Sequence, residues 1–483
     1  MSVSDFLDRQ QGNEYKKYAV VAICSLLVLL CGSFIFYKER MLFSDAPHVL
    51  FRIINEGKLQ IAEKRYGSFI TQLFPYIGVQ LHLSLKTLTL LYSVSFNIFF
   101  LTAGLLFTYR YKRYDLSILL SFYLILFVSD TYYWTNNEVH QGITWLFLAF
   151  AVTHYMSIKK RQLAITLPVF VILFALAIWT HPLVMLIALF LWFFYIIDNS
   201  QPLPRKDTII YSVVLITLSF MKFYQGLHHG YDSGKIELVT QIKPERLKTI
   251  FASQQLHFFA KSCLTHYKIL VLLTITGITT LIIKKKYILA AYTAAGITGY
   301  LLLLCITYWD VNSLRFYMES EYMPLSIICC APFVYYTLPQ LKVKIGMVIL
   351  ICIFVMRLNN IQISSKLFAD RVTLLQTIDR KMKDRNINKL IITHADAELN
   401  NELIMNWGTP VESIILTQLS QQTPQRTFIC LDDQQLKTFN TSSKDTLLGC
   451  FEKIPVNHIN AYYFRIDTST RYTTIDFEQL MRQ

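Results

Sequence analysis

Up to Arg357, apolar runs alternate with short polar breaks. The runs cover approximately 18–37, 86–108, 116–133, 142–157, 163–179, 182–197, 208–222, 268–283, 287–307, 322–340 and 345–357. Since about 20 apolar residues are needed to cross a bilayer as a helix, the pattern predicts about eleven transmembrane helices, several near the lower limit of length. The run Tyr18–Tyr37 can span, and no small-x-small site follows it, so it is expected to remain as the first span and not to be a cleaved signal. Two longer intervals carry amphipathic pieces. In 38–85, APHVLFRIINEGK predicts a short helix and YGSFITQLFPYIGVQL a re-entrant or interfacial segment; in 223–267, RLKTIFASQQLHFFAKSCL reads as interfacial.

Beyond Met356 the pattern changes. SSKLFADRVTLLQTIDRKMKDRN has helical periodicity, while KLIITH, SIILTQL, RTFICLD and YYFRID are short β-rich runs. The expected architecture is a mainly α polytopic membrane protein. Residues 1–357 form the transmembrane module, with long loops 38–85 and 223–267, and residues 358–483 form a small soluble α/β domain.

Composition agrees with a bilayer protein, and charge gives it a direction. Of 483 residues only 16% are charged, against about 25% in soluble domains. A net charge of +14 would raise the question of nucleic acid, but from Arg357 onward 15 Lys/Arg face 14 Asp/Glu. The excess therefore belongs to the membrane part, and no nucleic-acid partner is expected. Basic residues fall in every second gap: Arg9/Lys16/Lys17, Arg110/Lys112/Arg113, Lys159/Lys160/Arg161, Arg205/Lys206, Lys284/Lys285/Lys286 and Lys342/Lys344. The short loops between them hold only Arg315. Basic short loops stay cytoplasmic, so the N-terminus is expected inside. An odd number of spans then puts the C-terminal domain outside, in the periplasm if the membrane is a bacterial inner membrane. No C-x-x-C or Cys/His metal spacing occurs; Cys430 and Cys450 in the C-terminal domain read either as thiols or as a disulfide.

The spans are nearly free of ionisable residues, which instead cluster at their outer ends. ERMLFSDAPHVLFRI offers Asp45 and His48, three residues apart on one helical face. YYWTNNEVHQGITW offers Glu138 and His140. WDVNSLRFYMESEYMPL offers Arg315, Tyr317, Glu319 and Glu321, with Arg the side chain best suited to grip a phosphate. His181 in the WTHPL hairpin and Tyr66 in the first long loop complete the candidates. Each has a plain structural reading as well: Asp45 as a helix cap, Glu138 as a dipole-favoured first-turn acid, Arg315 as one half of an ion pair, His181 as a turn residue.

The order of these features resembles the GT-C superfamily of integral-membrane glycosyltransferases, which includes protein mannosyltransferases and aminoarabinose transferases. Asp45 in FSDAPHVLFRI matches the acidic residue after that family's first span. Glu138 in TNNEVHQGI matches the acid that opens its fourth helix. RFYMESEYMPLSII is similar to its late outer motif ending in Tyr-x-x-Pro. The family's acidic motif is often a pair, whereas Ala46 follows Asp45 here. The resemblance implies transfer of a sugar from a polyprenyl-phosphate carrier to the hydroxyl of a lipid, glycan or protein acceptor, usually with inversion. It implies Asp45 as general base with Glu138 as the second catalytic acid, and Arg315 on the donor phosphate. Tyr317, His48, His181, Tyr66 and Glu319 would line the substrate site. A divalent metal ion held by Asp45, Glu138 and His48 is compatible with this scheme but not required by it. Two other classes remain open: an O-antigen-type polymerase or ligase using His228, His229 and Arg246, and a lipid or sugar transporter or flippase.

Overall fold

The structure, a computed structural model, describes residues 12–199, 203–228, 233–242, 248, 250–308, 314–394, 403–438 and 444–482. Arg9, His229 and Arg246, named above, lie outside the described residues. Among those described, six helices are long and apolar enough to cross a membrane: Glu14–Ile35 within helix α1 (Asn13–Ile35), Leu85–Arg110, Leu163–Thr180, Arg205–His228, Tyr287–Thr307 and Val343–Asp384. The pairs Gln254–Thr265 with Lys268–Ile283 and Arg315–Tyr322 with Leu325–Gln340 are bent by 89° and 53°, and make eight if each pair is one span.

The runs expected at 116–133, 142–157 and 182–197 are helical too, but differ from these. Tyr114–Ile125 and Leu183–Ile197 have 12 and 15 residues. At 1.5 Å per residue they reach about 18 and 22 Å, short of a hydrocarbon core about 30 Å thick. Glu138–Ile158 is longer, but buries His140, Gln141, Thr144 and His154.

Tyr114–Ile125 stops early although the apolar pattern continues to Tyr133. Arg357 meets its end, donating to the carbonyls of Ile125 at 3.4 Å, Val128 at 2.7 Å and His266 at 2.9 Å. These include groups that a helix end leaves without partners. The chain from Leu126 to Asn137 then runs as buried turns. Arg40 donates to the Tyr132 carbonyl and, at 3.1 Å, to Ser93 Oγ, and Glu319 accepts from the Thr131 amide at 2.7 Å.

α2 (Asp45–Glu56) begins where FSDAPH predicts and ends at Gly57, whose φ of +60° is a left-handed cap that glycine adopts freely. It buries Leu50, Phe51, Ile53 and Ile54. Phe51 meets Phe464 of the C-terminal part with ring centroids 5.2 Å apart. Further along come α3 (Glu138–Ile158), α4 (Ser233–Thr240) and α5 (Arg315–Tyr322).

α6 (Val343–Asp384) is one helix of 42 residues, so the expected boundary at 357/358 falls inside a continuous element. After Gly346 its sequence contains no glycine and no proline to break it. It is about 63 Å long, roughly twice the hydrocarbon thickness, and must extend well beyond any membrane it crosses.

The helix leads into β1 (Lys389–His394), α7 (Thr409–Leu419) and β2 (Thr427–Asp432), a parallel crossover unit. β3 (Thr446–Leu448) and β4 (Lys453–Pro455) pair antiparallel, and β5 (Thr473–Asp476) joins the first sheet in the order β2-β1-β5, all parallel. Two sequence expectations are corrected. SIILTQL lies in α7, whose start is set by Pro410 in the first turn and followed by Glu412, a helix-opening pattern that outweighs the β-branched residues. YYFRID contributes only an isolated bridge at Ile466. Cys430 and Cys450 are both free thiols.

Candidate functional site

A cavity of about 760 Å³ lies where the helical part meets the C-terminal domain. It is lined by Asp45 at the start of α2, Glu138 at the start of α3, His181 in its hairpin and Tyr317 on α5. With Glu321, five of the residues singled out in the sequence thus converge, from positions far apart in the chain. Arg65, Trp134, Lys235, Tyr308, Glu321, Met405, Trp407 and Phe451 share the same wall, the last three coming from the C-terminal domain.

Asp45 is not the cap of its helix. The cap position is Ser44, which makes no side-chain capping bond, and Asp45 sits in the first turn. Its Oδ2 accepts from Trp134 Nε1 at 2.9 Å and from Ser44 Oγ at 3.3 Å. Among the described residues both bonds fall on Oδ2, and Asp45 lines the cavity. Ser44 has φ +59° and ψ −121°, a region that disfavours any side chain, at a cost of about 1–3 kcal/mol.

Glu138 opens α3 beside Asn137, whose side chain caps the helix by accepting from the Val139 amide at 3.1 Å. Its carboxylate meets Arg65 Nη1 at 2.8 Å. Arg65 is held by the tight turn that follows: a Cβ on Gly67 would lie 1.9 Å from Thr180 Oγ1 and 2.7 Å from the Leu176 carbonyl, so only glycine permits this approach. On the other side Lys235 donates to Tyr308 OH at 2.7 Å and lies 4.4 Å from that ring's centroid, a cation–π distance. Glu321 accepts from Gln255 Nε2 at 2.9 Å. Tyr317 OH lies 3.2 Å from Met405 Sδ, tying α5 to the C-terminal domain. His181 Nδ1 accepts from the Leu183 amide at 3.2 Å. Burial, reinforced by Arg65 and Lys235, holds the His181 imidazole well below its usual pKa, so it adds no positive charge near neutral pH. Chemically, the cavity joins carboxylates with two fixed cations and several aromatic faces.

The remaining expected residues are elsewhere. Arg315 does not line the cavity. Its guanidinium pairs with Asp130, Nε to Oδ2 at 2.8 Å, and reaches Ser364 Oγ at 3.2 Å. Glu319 is fully buried, bonded to the Thr131 amide and Tyr267 OH. Glu321, two residues along α5, takes the cavity position expected of Glu319. Tyr66 is exposed next to Arg65, outside the cavity lining. His140 is buried among helices, with Nδ1 2.7 Å from Tyr123 OH. His48 turns to the C-terminal domain, with Nε2 3.8 Å from Glu452 Oε1 and its ring 6.2 Å from that of Trp407. Burial lowers its pKa, against the pull of Glu452.

Of the three residues named for a metal ion, Glu138 pairs with Arg65 and His48 faces Glu452. Among the described residues no three His, Cys, Asp or Glu side chains are grouped to hold a metal ion.

Arg65 and Lys235 are the cations that sequence reasoning missed. Both lie in the long loops, outside the short ones whose charges set the expected orientation, and Arg65 stands among Glu63 and Lys64 as one charge in a polar stretch. Trp134 stands in YYWTNNEV, four residues before Glu138.

The fold and cavity are those of a mostly helical chain with several helices able to span a membrane, as in an integral membrane protein, and a small α/β domain at its C-terminus. No protein-family model, no curated protein and no solved structure matches the chain.

Proposed function

We propose that the protein is a membrane glycosyltransferase that moves a sugar from a polyprenyl-phosphate carrier to an acceptor hydroxyl. In this reading it has about eleven membrane-associated helical segments in a GT-C-like arrangement, and the cavity and C-terminal domain face the non-cytoplasmic side of a bacterial inner membrane. The observation that carries the reading is the meeting of Asp45 with Arg65 and Lys235 in one cavity at the junction of helical bundle and domain. The motifs around Asp45 and Glu138 add the family resemblance.

Asp45 accepts the proton of the acceptor hydroxyl as that oxygen attacks the anomeric carbon. The bond from the anomeric carbon to the phosphate oxygen breaks, and polyprenyl phosphate leaves with the bonding pair. Arg65 and Lys235 balance the charge that gathers on the phosphate, taking over the role expected of Arg315. Direct displacement inverts the anomeric centre. Glu138 keeps Arg65 in place and acts through it. No step in this scheme requires a metal.

The test is to incubate the purified protein in nanodiscs with undecaprenyl-phosphate-linked hexoses or aminopentose and an acceptor extract from bacterial envelope. Release of free undecaprenyl phosphate, dependent on acceptor, supports the reading. Acceptor-dependent polymer growth from a diphosphate-linked oligosaccharide, or substrate movement across the bilayer without bond cleavage, would replace it.

A further inference from the structure

Asp45 stands one residue after a backbone conformation that serine avoids. Ser44 is fully buried at φ +59°, and its amide donates to Glu412 Oε1 at 3.0 Å, 368 residues away in the C-terminal domain. Glu412, also fully buried, is fixed in turn by Arg371 of α6, whose Nη2 lies 2.6 Å from Glu412 Oε2. The same guanidinium donates through Nη1 to the Ile404 carbonyl at 2.9 Å and reaches the Leu42 carbonyl through Nε at 3.4 Å. Ile404 precedes Met405, which has φ +63° and lines the cavity together with Trp407. A Cβ on Gly408 would lie 2.6 Å from Glu412 Oε1 and 3.3 Å from the Ser44 carbonyl, so a side chain there would press on this carboxylate.

One buried fork thus grips both walls of the cavity: the turn before Asp45 and the turn before Met405. Both turns carry a positive φ on a non-glycine residue. A contact that only joined two domains would not need either. A backbone held in an unfavourable region persists where its surroundings over-determine it. Here the surroundings of Ser44 are a carboxylate and an arginine belonging to the domain and to α6.

We propose that Arg371 and Glu412 are positioning residues that hold the strained Ser44 turn and thereby aim Asp45 into the cavity. The C-terminal domain is then part of the site's machinery, although its own fold shows no catalytic motif. The proposal rests on Asp45 as the working carboxylate only for its functional consequence; the geometric claim stands apart from it.

The experiment reads the Asp45–Trp134 hydrogen bond directly. The full chain is labelled with 5-fluorotryptophan in nanodiscs, and the Trp134 fluorine resonance is assigned with Trp134→Phe. Asp45→Asn defines the displacement that follows a changed acceptor. Glu412→Ala is expected to displace the same resonance, and Glu412→Gln to do so less, because its amide oxygen can still accept from Ser44. Adding Ser44→Gly to either variant should return the resonance toward its wild-type position, since glycine adopts this conformation without strain. In the transfer assay Glu412→Ala should lower kcat by about one to two orders of magnitude with KM for donor unchanged.

A wild-type Trp134 resonance in Glu412→Ala, or in Glu412→Gln should the alanine variant not fold, overturns the proposal. So does a displaced resonance that Ser44→Gly leaves displaced. If the wild-type protein transfers no sugar, the proposed function fails while the fluorine spectra still decide this inference.

Discussion

Arg65 and Glu138 meet at 2.8 Å across 73 residues of chain, one from a turn in the first long loop and the other from the first turn of α3. The pair fixes a cation on the cavity wall. Removing the cation should therefore act on an anionic ligand. Arg65→Ala is expected to weaken binding of undecaprenyl phosphate by about 10- to 100-fold, the worth of a charge-assisted hydrogen bond. Glu138→Gln, which keeps an acceptor for Arg65, should weaken it far less. Isothermal titration in nanodiscs measures both, and equal losses would assign the pair to structure alone.

Arg315 carries the opposite expectation. Its guanidinium is matched to Asp130, which is nearly buried, and Arg315→Ala leaves that carboxylate without its partner. The expected loss is about 2–4 kcal/mol of stability with donor affinity retained in the folded fraction. Unfolding followed with a thiol-reactive dye, which reports the buried cysteines, measures the first; phosphate titration measures the second. A selective loss of donor affinity at unchanged stability would restore the role given to Arg315 by sequence.

Gly67→Ala should disturb the site from behind. The new methyl group would collide with Thr180 Oγ1 and the Leu176 carbonyl, and a backbone oxygen cannot swing aside. A stability loss of about 1–3 kcal/mol is expected, with weaker undecaprenyl phosphate binding because Arg65 lies two residues upstream. An unchanged melting temperature would show that the turn has room the geometry does not display.

Local signals served the sequence reading well where one stretch of chain decides the outcome. FSDAPH starts a helix with Asp45 in its first turn, TNNEV starts another with Glu138, and KLIITH and RTFICLD become paired parallel strands. Asp45, Glu138, His181 and Tyr317 reach one cavity because each sits at the same kind of place, the end of an apolar run. What local sequence does not show depends on distant partners. Nothing near Arg315 in sequence announces Asp130, and nothing near Tyr133 announces that Arg357 will meet the end of the Tyr114–Ile125 helix. Helix and strand preference are close for SIILTQL, and Pro410 decided it. The single helix from Val343 to Asp384 looks like two pieces in the sequence because its composition changes midway while its backbone does not.

The central claim is that Asp45 works on a sugar donor bound in this cavity. Its most direct test is Asp45→Asn in nanodiscs, with donor binding and single-turnover release of undecaprenyl phosphate measured on the same sample. The account predicts donor affinity within about threefold of wild type and release slower by about 10²- to 10⁴-fold, the usual contribution of a general base. Release at the wild-type rate from the folded variant would contradict it.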